Sequence, residues 1–189
     1  MKSSRHGASR GSGLLHSCIE IIVMIVVVFG CVWLIQNFVV NGYVIPSSSM
    51  EPTLQVNDKI FSEHLTYYQR APQAGDIVTF HDPEVADRTL VKRCIATEGQ
   101  TVDLIDGTLY IDGVSQDQSY THGLPSYPLS TAPGVTVSYP YTVPKGEIWV
   151  MGDNRTNSAD SRYLGAIPVS SVTGRVCCIY WPFDHFITF

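Results

Sequence analysis

Apolar residues are distributed unevenly along the chain, and the longest uninterrupted run lies near its start. Residues 21–35 read IIVMIVVVFGCVWLI without a charged side chain, and the run continues, with two polar residues, to Val40. About twenty helical residues rise roughly 30 Å, the thickness of the hydrocarbon core of a bilayer. A run that is apolar on every face is not typical of a helix packed on a soluble core. We therefore predict a transmembrane anchor over residues 14–40, preceded by a basic tail over residues 1–13.

The charges around this run predict its orientation. Lys2, Arg5 and Arg10 precede it, and residues 1–40 carry a net charge of +2, whereas residues 41–189 carry −7. Basic residues next to a membrane segment favour the cytoplasmic side. A cleavable signal peptide is the alternative, but the run is long for one and no A-x-A site follows it. We expect a single-pass protein of the cytoplasmic membrane with a cytoplasmic N-terminus and an extracytoplasmic domain over residues 41–189.

Beyond the anchor, the pattern changes to short β-prone runs that turn residues separate. These runs are residues 59–61, 76–80, 89–96, 147–151 and 172–180. In residues 102–114, VDLIDGTLYIDGV, the pairs Asp106-Gly107 and Asp112-Gly113 interrupt alternating apolar residues, as in tight hairpin turns. The pattern predicts a mainly β domain, either a small barrel or an antiparallel sheet.

Residues 115–141 differ from the rest of this domain. They are rich in Ser, Thr, Tyr, Pro and Gly and show no clear period. Such a composition is typical of a long loop, so we predict a surface excursion over residues 115–141.

Composition narrows the range of functions. With 44% hydrophobic and 15% charged residues, the chain is typical of a folded protein rather than a disordered one. A net charge of −5 without a basic stripe argues against nucleic acid as a partner. No cysteine or histidine spacing is typical of a metal site, so we expect neither metal nor cofactor. Cys94, Cys177 and Cys178 are expected to be small buried residues, although pairing of Cys94 with either of the other two remains open.

A serine-rich segment follows the anchor closely. Residues 46–54 read PSSSMEPTL, and Pro46 and Pro52 restrict the backbone on either side of the three serines. Most serine clusters are solvated turns, but a rigid turn can also hold a reactive hydroxyl in place. By itself the segment indicates little.

A lysine inside a predicted strand is the second unusual feature. Lys92 lies in residues 90–95, LVKRCI, between apolar neighbours. Burial disfavours the charged form of lysine, and a neutral amine can act as a general base. The alternative is a side chain whose stem packs while its ammonium group stays in water.

The third feature is a dense polar run, residues 152–163, which directly follows the apolar residues 148–151. It contains charges of both signs, at Asp153, Arg155, Asp160 and Arg162. Such a set can form a buried hydrogen-bonded network, or it can be an ordinary hydrophilic loop.

Together the three segments resemble the bacterial type I signal peptidases, which are membrane-anchored Ser/Lys endopeptidases. The matching stretches are residues 46–54, residues 90–96 (LVKRCIA) and residues 152–165 (GDNRTNSADSRYLG), in the family's order after an N-terminal anchor. The chain departs from the family at Thr156, where Asp is common, and in residues 96–100. The resemblance implies a mostly β catalytic domain whose apolar surface rests on the lipid bilayer. It also implies that the substrates are exported preproteins, cut after an A-x-A-like motif.

The resemblance further implies roles for individual residues. Ser49 matches the nucleophile and Lys92 the general base. The backbone N–H of Ser49 and the hydroxyl of Ser47 match the oxyanion hole, and Ser158 matches a serine that hydrogen-bonds and orients the lysine amine. The remaining matches are pocket positions for small substrate side chains (Ile45, Leu54, Val91) and members of structural ion pairs (Arg93 with Asp153, Asp160 with Arg162).

Two other functions fit parts of the pattern. A Ser-His-Asp hydrolase is disfavoured because residues 41–189 contain no G-x-S-x-G elbow. A membrane-tethered β module that binds without catalysis remains the main alternative, and substitution of Ser49 or Lys92 distinguishes it from a peptidase.

Overall fold

The N-terminal apolar run forms one long helix. The computed structural model describes residues 10–189, and helix α1 spans Arg10–Phe38. Its stretch His16–Leu34 has a mean hydropathy of 2.6 and is unburied, and it is the one helix among the described residues that is long and apolar enough to cross a membrane. The predicted basic tail lies, up to residue 9, outside the described residues.

The helix is shorter at its C-terminal end than the predicted anchor. It ends at Phe38, and Val40 already begins a strand that pairs with a second strand. Adjacent β-branched residues, Val39 and Val40, followed by Asn41 and Gly42, favour extended backbone over helix. The chain divides into two compact units, residues 1–39 and residues 40–189.

The second unit is built from antiparallel strands, which confirms the prediction of a mainly β fold. The strands of the described residues are β1 (Val40–Val44), β2 (Lys59–Glu63), β3 (Ile77–His81), β4 (Thr89–Thr97), β5 (Thr101–Ile105), β6 (Thr108–Ile111), β7 (Val114–Ser115), β8 (Tyr141–Thr142), β9 (Glu147–Met151), β10 (Ile167–Pro168), β11 (Val172–Trp181) and β12 (Ile187–Thr188). Two short helices, α2 (Leu65–Gln69) and α3 (Ser161–Leu164), connect strands.

The strands form two sheets. The larger sheet has the order β1-β2-β11-β3-β4-β9-β10, with β12 added to β11, and the smaller one has the order β7-β6-β5-β8. The predicted hairpin is present: Asp106-Gly107 joins β5 to β6, and Asp112-Gly113 joins β6 to β7, all four residues having positive φ. In the larger sheet, β4 lies between β3 and β9, so Lys92 lies on a central strand.

An apolar cluster lies beneath the serine-rich segment and fixes its position. Its buried members are Ile45, Met50, Leu54, Ile60, Ile77, Val176 and Ile179. Met50 belongs to a 3-10 turn, Ser48–Met50, and its side chain is only 1% exposed. Burial of a methionine side chain stabilises a fold by about 2 kcal/mol, so this contact holds the turn, and with it Ser49, against the core.

Residues 115–141 contain little regular structure, although they include a 3-10 turn, Ser119–Thr121. Thr121, Ser126 and Ala132 are nevertheless buried. The segment therefore packs partly against the rest of the domain.

The described cysteines are all free thiols, which decides the pairing left open above against a disulfide. Cys94 is fully buried, and burial raises the pKa of its thiol to about 12. It is thus an inert core residue.

Candidate active site

The turn that carries Ser49 is tied to the polar loop that follows β9. The side-chain amide of Asn154 donates to the Ser48 carbonyl at 3.1 Å, and its backbone N–H donates to the Ser49 carbonyl at 3.1 Å. Asn157 donates to the Ser48 hydroxyl at 2.9 Å. Two segments that are about a hundred residues apart in sequence are thus joined at the nucleophile candidate.

Lys92 and Ser49 are in direct contact. The amine Nζ of Lys92 donates to Ser49 Oγ at 2.8 Å, and Lys92 is only 3% exposed. Burial lowers the pKa of the Lys92 amine to about 8, although the carboxylates of Asp160 and Asp153 oppose this change. An amine with such a pKa is partly neutral near physiological pH and can accept the proton of a bound hydroxyl.

Arg93, the neighbour of Lys92 in β4, forms the expected ion pair with Asp153. Its Nε and one terminal nitrogen donate to the two carboxylate oxygens at 2.8 and 2.7 Å. The side chain of Asp153 is fully buried. A buried carboxylate requires such a bidentate partner, so the pair fixes the start of the polar loop against β4.

Asp160 and Arg162 form a second buried pair. The guanidinium of Arg162 donates to both carboxylate oxygens at 2.9 Å. Asp160 also accepts the backbone N–H of Gly152 at 2.9 Å and caps helix α3 through the N–H of Arg162. This carboxylate therefore holds both ends of the polar loop together.

The expected hydrogen bond between Ser158 and the Lys92 amine is absent. Ser158 Oγ is buried and has no hydrogen-bond partner among the described residues. It packs closely against Gly152, whose missing side chain leaves the space that Ser158 occupies. The Lys92 amine donates to Ser49, and the orienting role of Ser158 remains a prediction.

Ser47 lies at the exposed side of the site. Its hydroxyl is 3.5 Å from Ser49 Oγ, which is a long contact for a hydrogen bond. It faces the same opening as Ser49, because both residues line a cavity of about 110 Å³.

Two of the three predicted pocket residues line this cavity. Ile45 and Val91 lie in its wall, together with residues 43, 44, 46, 50, 89 and 90. Leu54 is not among the residues that line the cavity; it is fully buried in the cluster beneath the turn, where its N–H bonds to the Met50 carbonyl at 2.9 Å. In this structure Leu54 contributes to the core, and its assignment to a substrate pocket remains a prediction.

The sequence reasoning missed three residues that shape the site. Asn154 and Asn157 bind the serine turn, and Gly152 allows the loop to approach it. The dense polar composition of residues 152–163 was the available signal, but composition does not tell which side chains point toward the turn.

Other catalytic arrangements find no support at Ser49. Its hydroxyl contacts Lys92 and Ser47, and no histidine of the described residues contacts it. Residues 10–189 also contain no cluster of His, Cys, Asp or Glu able to hold a metal ion.

Comparison with known proteins gives a consistent family. The family model described as "Signal peptidase, peptidase S26" matches residues 18–181. Two relatives from Synechocystis sp. are each 36% identical. "Probable signal peptidase I-2" aligns over 153 residues, 78% of this chain and 66% of that protein, or about two thirds of its length. "Probable signal peptidase I-1" aligns over 170 residues, 86% of this chain and 82% of that protein.

A solved structure of a signal peptidase I from Enterococcus faecalis V583 is also similar. It is 36% identical and has a TM-score of 0.44, and the match covers 56% of this chain and 97% of that one. The family model extends from within helix α1 to the end of β11 and includes Ser49, Lys92 and the polar loop. On the extent of that match and the identity of the relatives, the chain belongs to the signal peptidase family, peptidase S26.

Proposed function

We propose that this chain is a membrane-anchored serine endopeptidase that removes signal peptides from exported preproteins through a dyad of Ser49 and Lys92. One observation carries the proposal: the amine of a buried lysine, with a pKa near 8, donates a hydrogen bond of 2.8 Å to a serine hydroxyl. Perturbed lysines in contact with a hydroxyl are typical of catalytic sites.

The chemistry follows from that contact. Ser49 Oγ attacks the scissile carbonyl carbon while neutral Lys92 accepts the hydroxyl proton. The resulting ammonium gives the proton to the leaving nitrogen as the C–N bond breaks, which leaves an acyl ester on Ser49. Lys92, neutral again, then takes a proton from water, whose oxygen attacks the ester carbon. As the bond between the acyl carbon and Ser49 Oγ breaks, Lys92 gives that proton to Ser49 Oγ, which releases the second product and restores the hydroxyl and the neutral amine.

The negative charge on the carbonyl oxygen needs hydrogen-bond donors. We assign this role to the backbone N–H of Ser49 and the hydroxyl of Ser47, which lies at the open side of the site. Loss of one such donor costs about 3 kcal/mol of transition-state stabilisation in a well-studied protease. The unpaired hydroxyl of Ser158 is available to the Lys92 ammonium once that group has accepted its proton.

The cavity beside Ser49 accounts for the proposed preference for small residues. Its volume is about 110 Å³, and aliphatic residues such as Ile45 and Val91 form part of its wall. A cavity of this size has space for a small side chain. This fits cleavage after an A-x-A-like motif.

The proposed location is the outer face of the cytoplasmic membrane. Helix α1 supplies an anchor, and the N-terminal basic residues favour a cytoplasmic N-terminus. In the second unit, Trp181, Phe183, Phe186 and Ile187 are exposed close together in sequence. An exposed aromatic group of this kind is typical of a surface that contacts lipid.

The dyad can be tested with two substitutions and two matched controls. Ser49→Ala and Lys92→Met should each lower cleavage of a preprotein in detergent by at least about a thousandfold, because each removes one member of the dyad. The exposed residues Ser130 and Lys145 provide the controls Ser130→Ala and Lys145→Met, which should cleave as the original protein does.

Substantial cleavage by either dyad variant would refute the assignment. If the unaltered protein binds a preprotein without cutting it, the alternative of a non-catalytic binding module is favoured instead.

A further inference from the structure

Tyr120 belongs to the irregular segment 115–141, yet it contacts two arginines beside the proposed active site. The guanidinium carbon of Arg93 lies 4.3 Å from the centroid of the Tyr120 ring. The hydroxyl of the same tyrosine accepts a hydrogen bond from Arg155 at 3.2 Å. One side chain thus bridges two cations that lie in different parts of the chain.

The first contact acts on the strand that carries the base. Arg93 directly follows Lys92 in β4, and its guanidinium contacts both the Tyr120 ring and the Asp153 carboxylate. A guanidinium over an aromatic face is attracted by the ring, and more strongly when water is excluded. Tyr120 therefore covers the side of Arg93 that its carboxylate partner leaves open.

The second contact acts on a buried cation that lacks a carboxylate partner. Arg155 is 1% exposed and forms no salt bridge among the described residues. Its nitrogens bind the Gly152 carbonyl and three groups of segment 115–141: Gln118 Oε1, Ser126 Oγ and the Tyr120 hydroxyl. A buried charge is costly without hydrogen bonds, so this segment supplies most of what keeps Arg155 in place.

The two arginines that Tyr120 contacts both bind residues of the segment 152–154, which is hydrogen-bonded to the Ser49 backbone. Arg155 binds the carbonyl of Gly152, and Arg93 binds the carboxylate of Asp153. The next residue, Asn154, donates its backbone N–H to the Ser49 carbonyl at 3.1 Å. A displacement of these three residues would move Ser49 relative to Lys92.

We propose that Tyr120 is a positioning residue for the Ser49/Lys92 dyad, and that the segment around it is part of the catalytic apparatus rather than a surface appendage. The proposal rests on the proposed peptidase function. Tyr120 acts through geometry: it holds Arg93 and Arg155 in place, and these arginines hold the loop that supports Ser49.

Two substitutions separate the two contacts. Tyr120→Phe keeps the ring over Arg93 and removes only the acceptor for Arg155, so we expect kcat for a preprotein to fall several-fold. Tyr120→Leu removes both contacts, and we expect a loss of at least about tenfold, since small displacements of reacting groups are costly. KM should change little in either variant, because the cavity beside Ser49 is not altered.

The pH profile distinguishes positioning from a general loss of stability. When the cover over Arg93 is lost in Tyr120→Leu, water gains access to the loop behind Lys92, and the burial that lowers its pKa is reduced. The acid limb of kcat/KM should therefore move to higher pH in Tyr120→Leu and stay in place in Tyr120→Phe. Tyr127→Ala is the matched control, since Tyr127 is an exposed tyrosine of the same segment, and it should match the original protein.

Each outcome of these experiments either supports or overturns the role of Tyr120. The inference is overturned if both Tyr120 variants have the kcat of the unaltered protein and an unshifted pH profile of kcat/KM. It is also overturned if the loss of kcat equals the fraction of unfolded protein measured by circular dichroism. If Tyr120→Leu does not fold, the kcat of Tyr120→Phe decides. Should Ser49→Ala still cleave, the proposed function fails; if Ser49→Ala is inactive and the Tyr120 variants are normal, only this inference fails.

Discussion

At the scale of single residues, the central feature is an amine that remains unpaired with any carboxylate. Lys92 is buried and donates to Ser49, whereas the nearby acids Asp153 and Asp160 are engaged by Arg93 and Arg162. Burial lowers the pKa of Lys92 more than these carboxylates raise it.

This arrangement predicts how activity depends on pH. The proposed base, Lys92, must be neutral to act, and its pKa lies near 8, so protonation should remove activity as the pH falls through that value. We expect kcat/KM for a peptide substrate to fall about tenfold for each pH unit below 8 and to level off above it. A rate that is constant between pH 6 and pH 9, measured on protein that stays folded throughout, would contradict a lysine base.

The local patterns around Ser49 and Lys92 indicated little separately, and the resemblance to the family named both residues. The structure brings the two side chains into contact. The surroundings of Ser158 and Leu54 were not predictable, since sequence does not reveal a rotamer or the depth of a side chain. Ser158 turns toward Gly152, and Leu54 lies under the turn rather than in the cavity wall.

At the scale of elements, the end of β9 determines how closely the polar loop approaches the serine turn. Strand β9 ends at Met151, and Gly152 follows it directly against the Ser49 backbone. A Cβ at Gly152 would lie 2.6 Å from Cβ of Ser158 and still closer to the carbonyl oxygen of Ser49. No side chain fits there unless the turn moves.

Gly152→Ala should therefore displace Ser49 and lower kcat by roughly a hundredfold, while KM changes less. The control is Gly42→Ala in β1, where the nearest atom to the added carbon lies at 3.7 Å, an ordinary contact. Near-normal kcat in Gly152→Ala would show that the turn tolerates displacement, and a comparable loss in Gly42→Ala would point to a general effect on stability.

Long strands were predictable, and the shortest were not. Short β-prone runs identified β4, β9 and β11, and alternation of apolar and polar residues identified the hairpin of β5 and β6, each within a few residues. Strands β8, β10 and β12 contain two residues each, which is too short to show a period. Strand β1 was hidden because its first residue continues the apolar run of the anchor.

At the scale of the whole molecule, the proposed catalysis and the proposed membrane anchoring belong to different units. Every residue of the proposed dyad and its supporting loop lies in residues 40–189, which form their own core. The proposed contribution of helix α1 is to bring enzyme and substrate into one bilayer, which raises their effective concentration.

Removal of residues 1–39 should therefore affect how often enzyme and substrate meet at the membrane, but not the bond cleavage itself. We expect the shortened chain to cleave a short soluble peptide within a few-fold of the original kcat/KM. Cleavage of a preprotein embedded in phospholipid vesicles should fall roughly a hundredfold, because the shared bilayer no longer concentrates the partners. Equal losses on both substrates would mean that the helix is needed for folding, and no loss on vesicles would mean that it is not an anchor.

The short link between helix and strand has a further consequence for such an anchored enzyme. Eleven peptide steps separate Phe38, the last residue of α1, from Ser49. Even a fully stretched link of this length reaches only about 40 Å. With α1 as the proposed anchor and Ser49 as the proposed nucleophile, the length of this link sets a limit. A precursor should be cut only where its scissile bond comes within about 40 Å of the lipid, whatever motif surrounds the bond.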